Sequence, residues 1–277
     1  MFTLNCKGKI LMIERPLVMG ILNINNDSFY EGSRFQHPDE ILREATQMAE
    51  EGADILDIGG QSTRPASERV PADEELQRVL PVIKMLTEKL HDRVILSVDT
   101  YHSTVARACV QAGAGIVNDI SSGEMDREMI RTVASLQVPY ICMHMRGVPE
   151  TMHRDIHYEN VAIEVLDFFI KKIDECVQAG IKDVIIDPGF GFGKNHHHNF
   201  QLLKSLSVFK MTGKPVMAGL SRKSSIYKTL GTTANDALNG TTVLNTIALL
   251  NGADILRVHD VQEAKETIKL IETYGNA

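Results

Sequence analysis

The sequence has no block of basic residues: no group of Lys and Arg exceeds a few positions, and the net charge is −7. Neutralising a nucleic-acid backbone needs clustered cations, so a nucleic-acid partner is excluded. Cysteine is sparse. Cys6, Cys109, Cys142 and Cys176 are scattered in or near apolar stretches and form no Cys-x-x-Cys pair, which fits buried free thiols rather than a disulfide frame or a zinc site. No apolar run approaches the length of a membrane span, and the amino terminus alternates charged and apolar residues without a continuous signal-peptide core. These absences place the chain in the cytoplasm, away from membranes. There is no Ser-His-Asp or Cys-His arrangement for covalent catalysis, and no linker, low-complexity segment or charge block divides the chain.

What is present is a rhythm. With 277 residues, 43% of them hydrophobic and 23% charged, the chain can build a full-size core. Residues 1–15 read as a hairpin turning at Lys7-Gly8-Lys9 and suited to plug the bottom of a barrel. Short apolar strands follow at 17–22, 55–58, 94–98, 116–117, 140–143, 184–186, 216–217 and 255–258. Helices alternate with them at 38–51, 73–90, 102–112, 126–135, 158–178, 199–209, 235–251 and 260–273. Eight such units predict an α/β fold of the (β/α)8 TIM-barrel type with an N-terminal β-hairpin, one domain over 1–277. Pro38-Asp39-Glu40 marks a helix start, and Gly52, Gly113 and Gly180 mark helix ends.

Polar residues gather just past the strand ends: Asn23, Asp57 with Gly59-Gly60, Asp99, Asn118-Asp119, His144, Asp187, Ser221-Arg222-Lys223, and Arg257 with His259. In a closed parallel barrel these positions face one another across the mouth that carries the chemistry. The run Asp183-Val184-Ile185-Ile186 enters Asp187-Pro188-Gly189-Phe190-Gly191-Phe192-Gly193-Lys194, where a carboxylate is followed by glycines that let backbone approach a flat ligand and by an aromatic that can cover it. His196-His197-His198 follow in what reads as a loop, and adjacent histidines do not easily converge on one metal ion.

With these segments in order, the chain resembles dihydropteroate synthases. The matching stretches are Met19-Gly20-Ile21-Leu22-Asn23 with Asp27-Ser28-Phe29; Asp57-Ile58-Gly59-Gly60 with Ser62-Thr63-Arg64-Pro65; and Ser97-Val98-Asp99-Thr100. Asn118-Asp119-Ile120, Asp187-Pro188-Gly189 with Gly191-Phe192, Ser221-Arg222-Lys223-Ser224, and Arg257-Val258-His259-Asp260 complete the set. The resemblance implies condensation of 6-hydroxymethyl-7,8-dihydropterin diphosphate with p-aminobenzoate to 7,8-dihydropteroate and pyrophosphate, with Mg2+, by a homodimer joined through helices of the later barrel.

The resemblance also assigns roles. Asp187 takes the amidine-like edge of the pterin, and Asp99 and Asn118 take other ring donors and acceptors. Lys223 reaches the ring carbonyl, while Arg257 stacks on the ring and serves the diphosphate. Asn23 is the magnesium contact, and His259 and Arg64 hold anionic oxygens. Asp27 and Glu31 join Asn23, Lys223, Arg257 and His259 in the catalytic set. Phe29, Ser62, Thr63, Pro65, Phe192, Ser224 and Met143 line the substrate sites, with Ser224 receiving the p-aminobenzoate carboxylate. The implied catalysis is electrostatic: the diphosphate leaves first and the arylamine attacks the resulting cation.

The chain departs from the family pattern at Asn25-Asn26 (usually Thr-Pro), Glu31 (usually Asp), Gln61 (usually Glu) and Ala66 (often Gly). Two other readings stand beside the synthase. One is a pterin-binding module for methyl transfer, disfavoured by the intact Ser62-Thr63-Arg64-Pro65 and Ser221-Arg222-Lys223 sets; the other is a pterin-binding paralogue with weakened catalysis.

Overall fold

The computed structural model describes residues 1–24, 37–61, 69–148, 152 and 156–277. Strands β1 (Phe2–Cys6) and β2 (Lys9–Ile13) pair antiparallel around the turn Lys7-Gly8, the predicted hairpin. Eight further strands follow: β3 (Leu17–Asn23), β4 (Ile55–Gly59), β5 (Ile95–Asp99), β6 (Ile116–Asp119), β7 (Tyr140–Met143), β8 (Val184–Asp187), β9 (Met217–Ala218) and β10 (Ile255–Val258). They form one parallel sheet in the order β8-β7-β6-β5-β4-β3-β10-β9. A parallel bridge between Ile186 and Val216 joins the two ends. This seam is thin because β9 is two residues long and Pro215 brings no N–H to it. The (β/α)8 barrel with its N-terminal hairpin is therefore as expected.

Helices α1 (His37–Glu50), α2 (Ala72–Leu90), α3 (Ser103–Ala112), α4 (Met129–Leu136), α5 (Val161–Ala179), α6 (His196–Lys204), α7 (Ser224–Leu230), α8 (Leu238–Leu250) and α9 (Val261–Gly275) surround the sheet. Most helix boundaries differ from the sequence reading by one to three residues, and two differences are larger. The helix expected at 199–209 is α6 followed by a 3₁₀ segment, Leu206–Thr212. It begins earlier because Asn195 caps it, accepting the His198 N–H; His196-His197-His198 are thus its first turn and not a loop. The short α7 escaped notice because seven residues show too little periodicity.

The hairpin closes the barrel floor. Leu4, Cys6 and Ile13 pack against Met19, Ile55, Ile116, Ile141, Ile185, Met217 and Ile255, one inward residue from each of seven strands. Its turn is tied down as well, since Lys7 Nζ donates to the carbonyls of Val110 and Gln111 and Lys9 Nζ to that of His91, capping α3 and α2. A repeated pentapeptide, Gly-Ala-Asp-Ile-Leu at 52–56 and 252–256, builds the same device twice. Asp54 Oδ2 accepts the Val18 N–H at 2.8 Å and Lys265; Asp254 Oδ2 accepts the Val216 N–H at 2.8 Å and Lys210. Each lysine stem crosses the glycine of its own repeat, where an added Cβ would lie 3.2 Å or 2.8 Å from Cε.

Candidate active site

Side chains alternate along a strand, so the residue two positions beyond each inward floor residue also points inward, one layer nearer the mouth. Ile55 is followed by Asp57, Ile116 by Asn118, Ile141 by Met143, Ile185 by Asp187, Met217 by Gly219, and Ile255 by Arg257. One register row carries Asn23, Gly59, Asp99 and Asn118 as successive neighbours across β3, β4, β5 and β6. The same parity corrects two expectations. Asp119 and His144, one residue out of phase, face away from the mouth: Asp119 fastens its own turn through Ser121, Gly123 and Tyr140, and His144 packs edge-on to Phe168.

At the centre is a buried ion network. Arg257 donates from Nε to Asp57 Oδ2 and from Nη2 to Asp99 Oδ2, both at 2.7 Å. Asn118 Nδ2 donates to the same Asp57 oxygen at 2.8 Å, which leaves Asn118 Oδ1 as an acceptor toward the mouth. Asp57 is fully buried and its Oδ1 has no partner among the described residues. Burial raises Asp99 to about 7; Arg257 pulls against the rise and Asp57 adds to it. Burial opposes the Arg257 charge, but Asp57 and Asp99 outweigh it and hold the guanidinium protonated.

Asp187 and Lys223 form the second half. Asp187 Oδ1 accepts the Gly189 N–H at 2.8 Å. Its other oxygen turns toward Gly219, where an added Cβ would lie 3.9 Å from Asp187 Oδ2 and 3.7 Å from Lys223 Nζ. The missing side chains at Gly219 and at Gly59, where a Cβ would meet Asp99 and Asn23, keep the mouth open. Burial raises Asp187 against the pull of Lys223. Burial lowers Lys223 to about 8, Asp187 opposing and Arg257 assisting. Lys223 Nζ donates to the Phe190 carbonyl and lies 4.9 Å from the centre of the Phe192 ring. Phe192 joins Tyr101, Ile120 and Met143 in an apolar wall beside these charges.

The rim of the mouth also carries Ser221, His259 and Asn23. Ser221 Oγ accepts the His259 N–H at 3.2 Å and lies 3.1 Å from His259 Nδ1. The hydroxyl proton then goes to Nδ1, and this network assigns the ring proton to Nε2. Partial burial and Arg257 lower the imidazole, so it is neutral at pH 7 and can donate from Nε2. Asn23 ends β3 with its side chain exposed and makes no side-chain hydrogen bond among the described residues.

An inward, glycine-cleared mouth with a carboxylate and a lysine on one side and an aspartate-locked arginine on the other suits a flat, nitrogen-rich ring bearing an anion. The family profile described as pterin binding enzyme matches residues 19–259. The chain is 41% identical to the dihydropteroate synthase of Haemophilus influenzae over 276 residues, 99% of each chain. It belongs to the dihydropteroate synthase family. A structure of the Xanthomonas albilineans dihydropteroate synthase with 4-aminobenzoic acid superposes with a TM-score of 0.91 at 40% identity, covering 99% of this chain and 98% of that one. The same enzyme in complex with 7,8-dihydropteroate gives 0.88 at 39% identity, covering 100% of both.

Of the residues that the resemblance assigned, Asn23, Asp99, Asn118, Met143, Asp187, Phe192, Lys223, Arg257 and His259 lie around this one mouth, and Ser224 opens α7 beside Lys223. Asp27, Phe29, Glu31, Ser62, Thr63, Arg64 and Pro65 fall outside the described residues. The sequence reading noted Asp57 as polar but gave it no role; its signal was a charge between apolar neighbours in a buried strand, which demands a partner. Gln61 was noted only as a departure from the family. It donates to Glu75 Oε2 and the Val70 carbonyl and accepts from the Val70 N–H and Tyr101 Oη.

Proposed function

We infer that this chain joins a 6-hydroxymethyl-7,8-dihydropterin diphosphate to p-aminobenzoate, giving 7,8-dihydropteroate and pyrophosphate, as a transferase of folate synthesis. The reading rests on one observation: Asp187 Oδ2, Lys223 Nζ and the Arg257 stem all flank the same open face of Gly219, and the Arg257 guanidinium reaches from there across the barrel to Asp57, shared with Asn118, and to Asp99. Asp187 accepts paired N–H groups from the amino-pyrimidine edge, and Lys223 donates to the ring carbonyl. Asn118 Oδ1 accepts a ring N–H. Arg257, fixed at Nε and Nη2, presents its planar face to the ring, and its Nη1 makes no bond among the described residues.

The bond from the pterin methylene to the diphosphate oxygen breaks with its electron pair leaving on oxygen. The arylamine nitrogen then forms the new bond to carbon and releases a proton. His259 Nε2–H and Arg257 stabilise the leaving oxygens, and no side chain forms a covalent bond. Magnesium fits the Asn23 position, because a lone exposed amide oxygen at the mouth suits an ion that takes its other ligands from diphosphate and water. Bound there, it would neutralise diphosphate charge. Phe29, Thr63, Pro65, Phe192 and Ser224 are the proposed p-aminobenzoate contacts, with Asp27, Glu31, Ser62 and Arg64 serving the reacting end.

The chain works as one barrel domain and as a homodimer. Leu230 of α7 and Val243, Ile247 and Leu250 of α8 stand exposed on adjacent helices, an apolar face suited to a second copy. Its place is the cytoplasm: all four cysteines are free and buried, and no helix among the described residues is long and apolar enough to cross a membrane. Calorimetric titration with 6-hydroxymethylpterin diphosphate tests the reading. The parent binds, and Asp187→Asn abolishes binding while its circular dichroism is unchanged; tight binding by that variant would overturn the assignment.

A further inference from the structure

The loop 188–193 between β8 and α6 is strung between two lysine amines. On the mouth side, Lys223 takes the Phe190 carbonyl. On the other side, Lys194 is 3% exposed and its Nζ lies 2.8 Å from His144 Nδ1, 3.0 Å from the Gly189 carbonyl, 3.1 Å from that of Phe192 and 3.2 Å from that of His144. Burial holds Lys194 well below the usual lysine range, with Asp187 opposing and Lys223 and Arg146 assisting; as ammonium or as neutral amine it brings three or two N–H groups to these acceptors. The His144 ring is itself buried and held neutral, by burial first and by Lys194 next, so its Nδ1 is free to accept.

The sequence makes this arrangement possible and leaves it few alternatives. Gly189 has φ +70, and an added Cβ would lie 2.0 Å from the His144 carbonyl oxygen, so the loop passes too close to β7 for any other residue. The Gly191 N–H is taken by Asn199 Oδ1 at 2.7 Å and the Gly193 carbonyl by Tyr158 Oη at 3.0 Å. The carbonyls on either side of Phe190 and Gly191 thus turn toward Lys194, and that of Phe190 turns toward the mouth.

We infer that Lys194 is a positioning residue for both substrates: by gathering the carbonyls of His144, Gly189 and Phe192 it fixes the loop that holds Lys223 through Phe190 and places the Phe192 ring. It touches neither substrate. Its effect passes through Lys223, which the proposed function assigns to the pterin, and through Phe192, assigned to p-aminobenzoate, so the inference rests on that reading. It also explains why a lysine is buried directly behind a site that already contains two cations.

The test is Lys194→Met, which keeps the apolar stem and removes the amine. In a variant with parental circular dichroism, binding of 6-hydroxymethylpterin diphosphate weakens at least tenfold, and KM for p-aminobenzoate rises at least tenfold while kcat falls less. A merely structural lysine would lower Tm and leave both constants parental, and that result would overturn the inference. Should Lys194→Met not fold, Lys194→Gln is read the same way, its shorter amide reaching fewer of the four acceptors: the same weakening of both constants is expected, and parental constants overturn the inference. A parent that binds no pterin counts against the proposed function, separately from Lys194.

Discussion

Arg257 Nη2 lies 2.7 Å from Asp99 Oδ2 although 158 residues separate the two in sequence. The pair spans the barrel from β10 to β5, and Asp57 completes it from β4 by taking Arg257 Nε. A buried cation held by two carboxylates is stiff, because releasing either bond strands a charge away from water. The arginine face is therefore presented in one orientation before any substrate arrives.

Asp57→Asn tests that stiffness. The amide keeps the volume but loses the charge that holds Arg257 and the acceptor strength that orients Asn118. Pterin affinity should fall about tenfold, the loss of roughly one charge-assisted hydrogen bond. Isothermal titration on the folded variant measures it, and parental affinity would mean that Asp99 alone suffices.

The lowered Lys223 makes a pH prediction. Its ammonium form donates to the ring carbonyl, and that form is lost as pH rises through about 8 instead of near the ordinary lysine value of 10.5. Pterin affinity should thus decline from pH 7 to pH 9, with Lys223→Arg removing the decline because guanidinium stays charged. An affinity flat across this range in the parent would contradict the role.

Gln61→Glu restores the residue usual in the family but places a carboxylate against Glu75, whose pKa is already raised by burial. It also removes the donor to the Val70 carbonyl. A carboxyl whose folded pKa is raised contributes stability below its unfolded value and loses it as pH climbs through the folded one. The variant should therefore melt below the parent at pH 8 and approach it at pH 5. Thermal scans at the two pH values read this, and an equal deficit at both would show that the lost hydrogen bond, not charge, decides.

Gly52→Ala probes the barrel floor. Gly52 has φ +100 beneath the Lys265 stem, so the variant should lose roughly 1–2 kcal/mol from backbone strain. Urea unfolding measures the loss, and turnover should stay parental because the floor lies at the opposite end of the strands from the mouth.

Much of this was legible in the sequence for a physical reason. Apolar strands buried on both faces announce themselves as continuous runs, and the polar residue ending each run is an anomaly with few explanations. Asp187, Arg257 and Lys223 were found that way. What the runs do not carry is phase: Asp119 and His144 sit as close to strand ends as Asn118 and Met143, and only the register separates inward from outward. Nor does a sequence show which cation a carboxylate will meet, so the span from Asp57 to Arg257, and the hold of Lys194 on its own loop, needed the fold. Helix α7 was missed because a short helix is made by its surroundings more than by its own pattern.

The most direct measurement combines purified protein with 6-hydroxymethyl-7,8-dihydropterin diphosphate, labelled p-aminobenzoate and magnesium, and follows labelled 7,8-dihydropteroate by chromatography. Magnesium-dependent formation of labelled product, lost in Asp187→Asn, is the predicted result. Pterin binding without labelled product would contradict the synthase and leave a pterin-binding protein whose departures from the family at Asn25, Asn26 and Glu31 no longer support transfer.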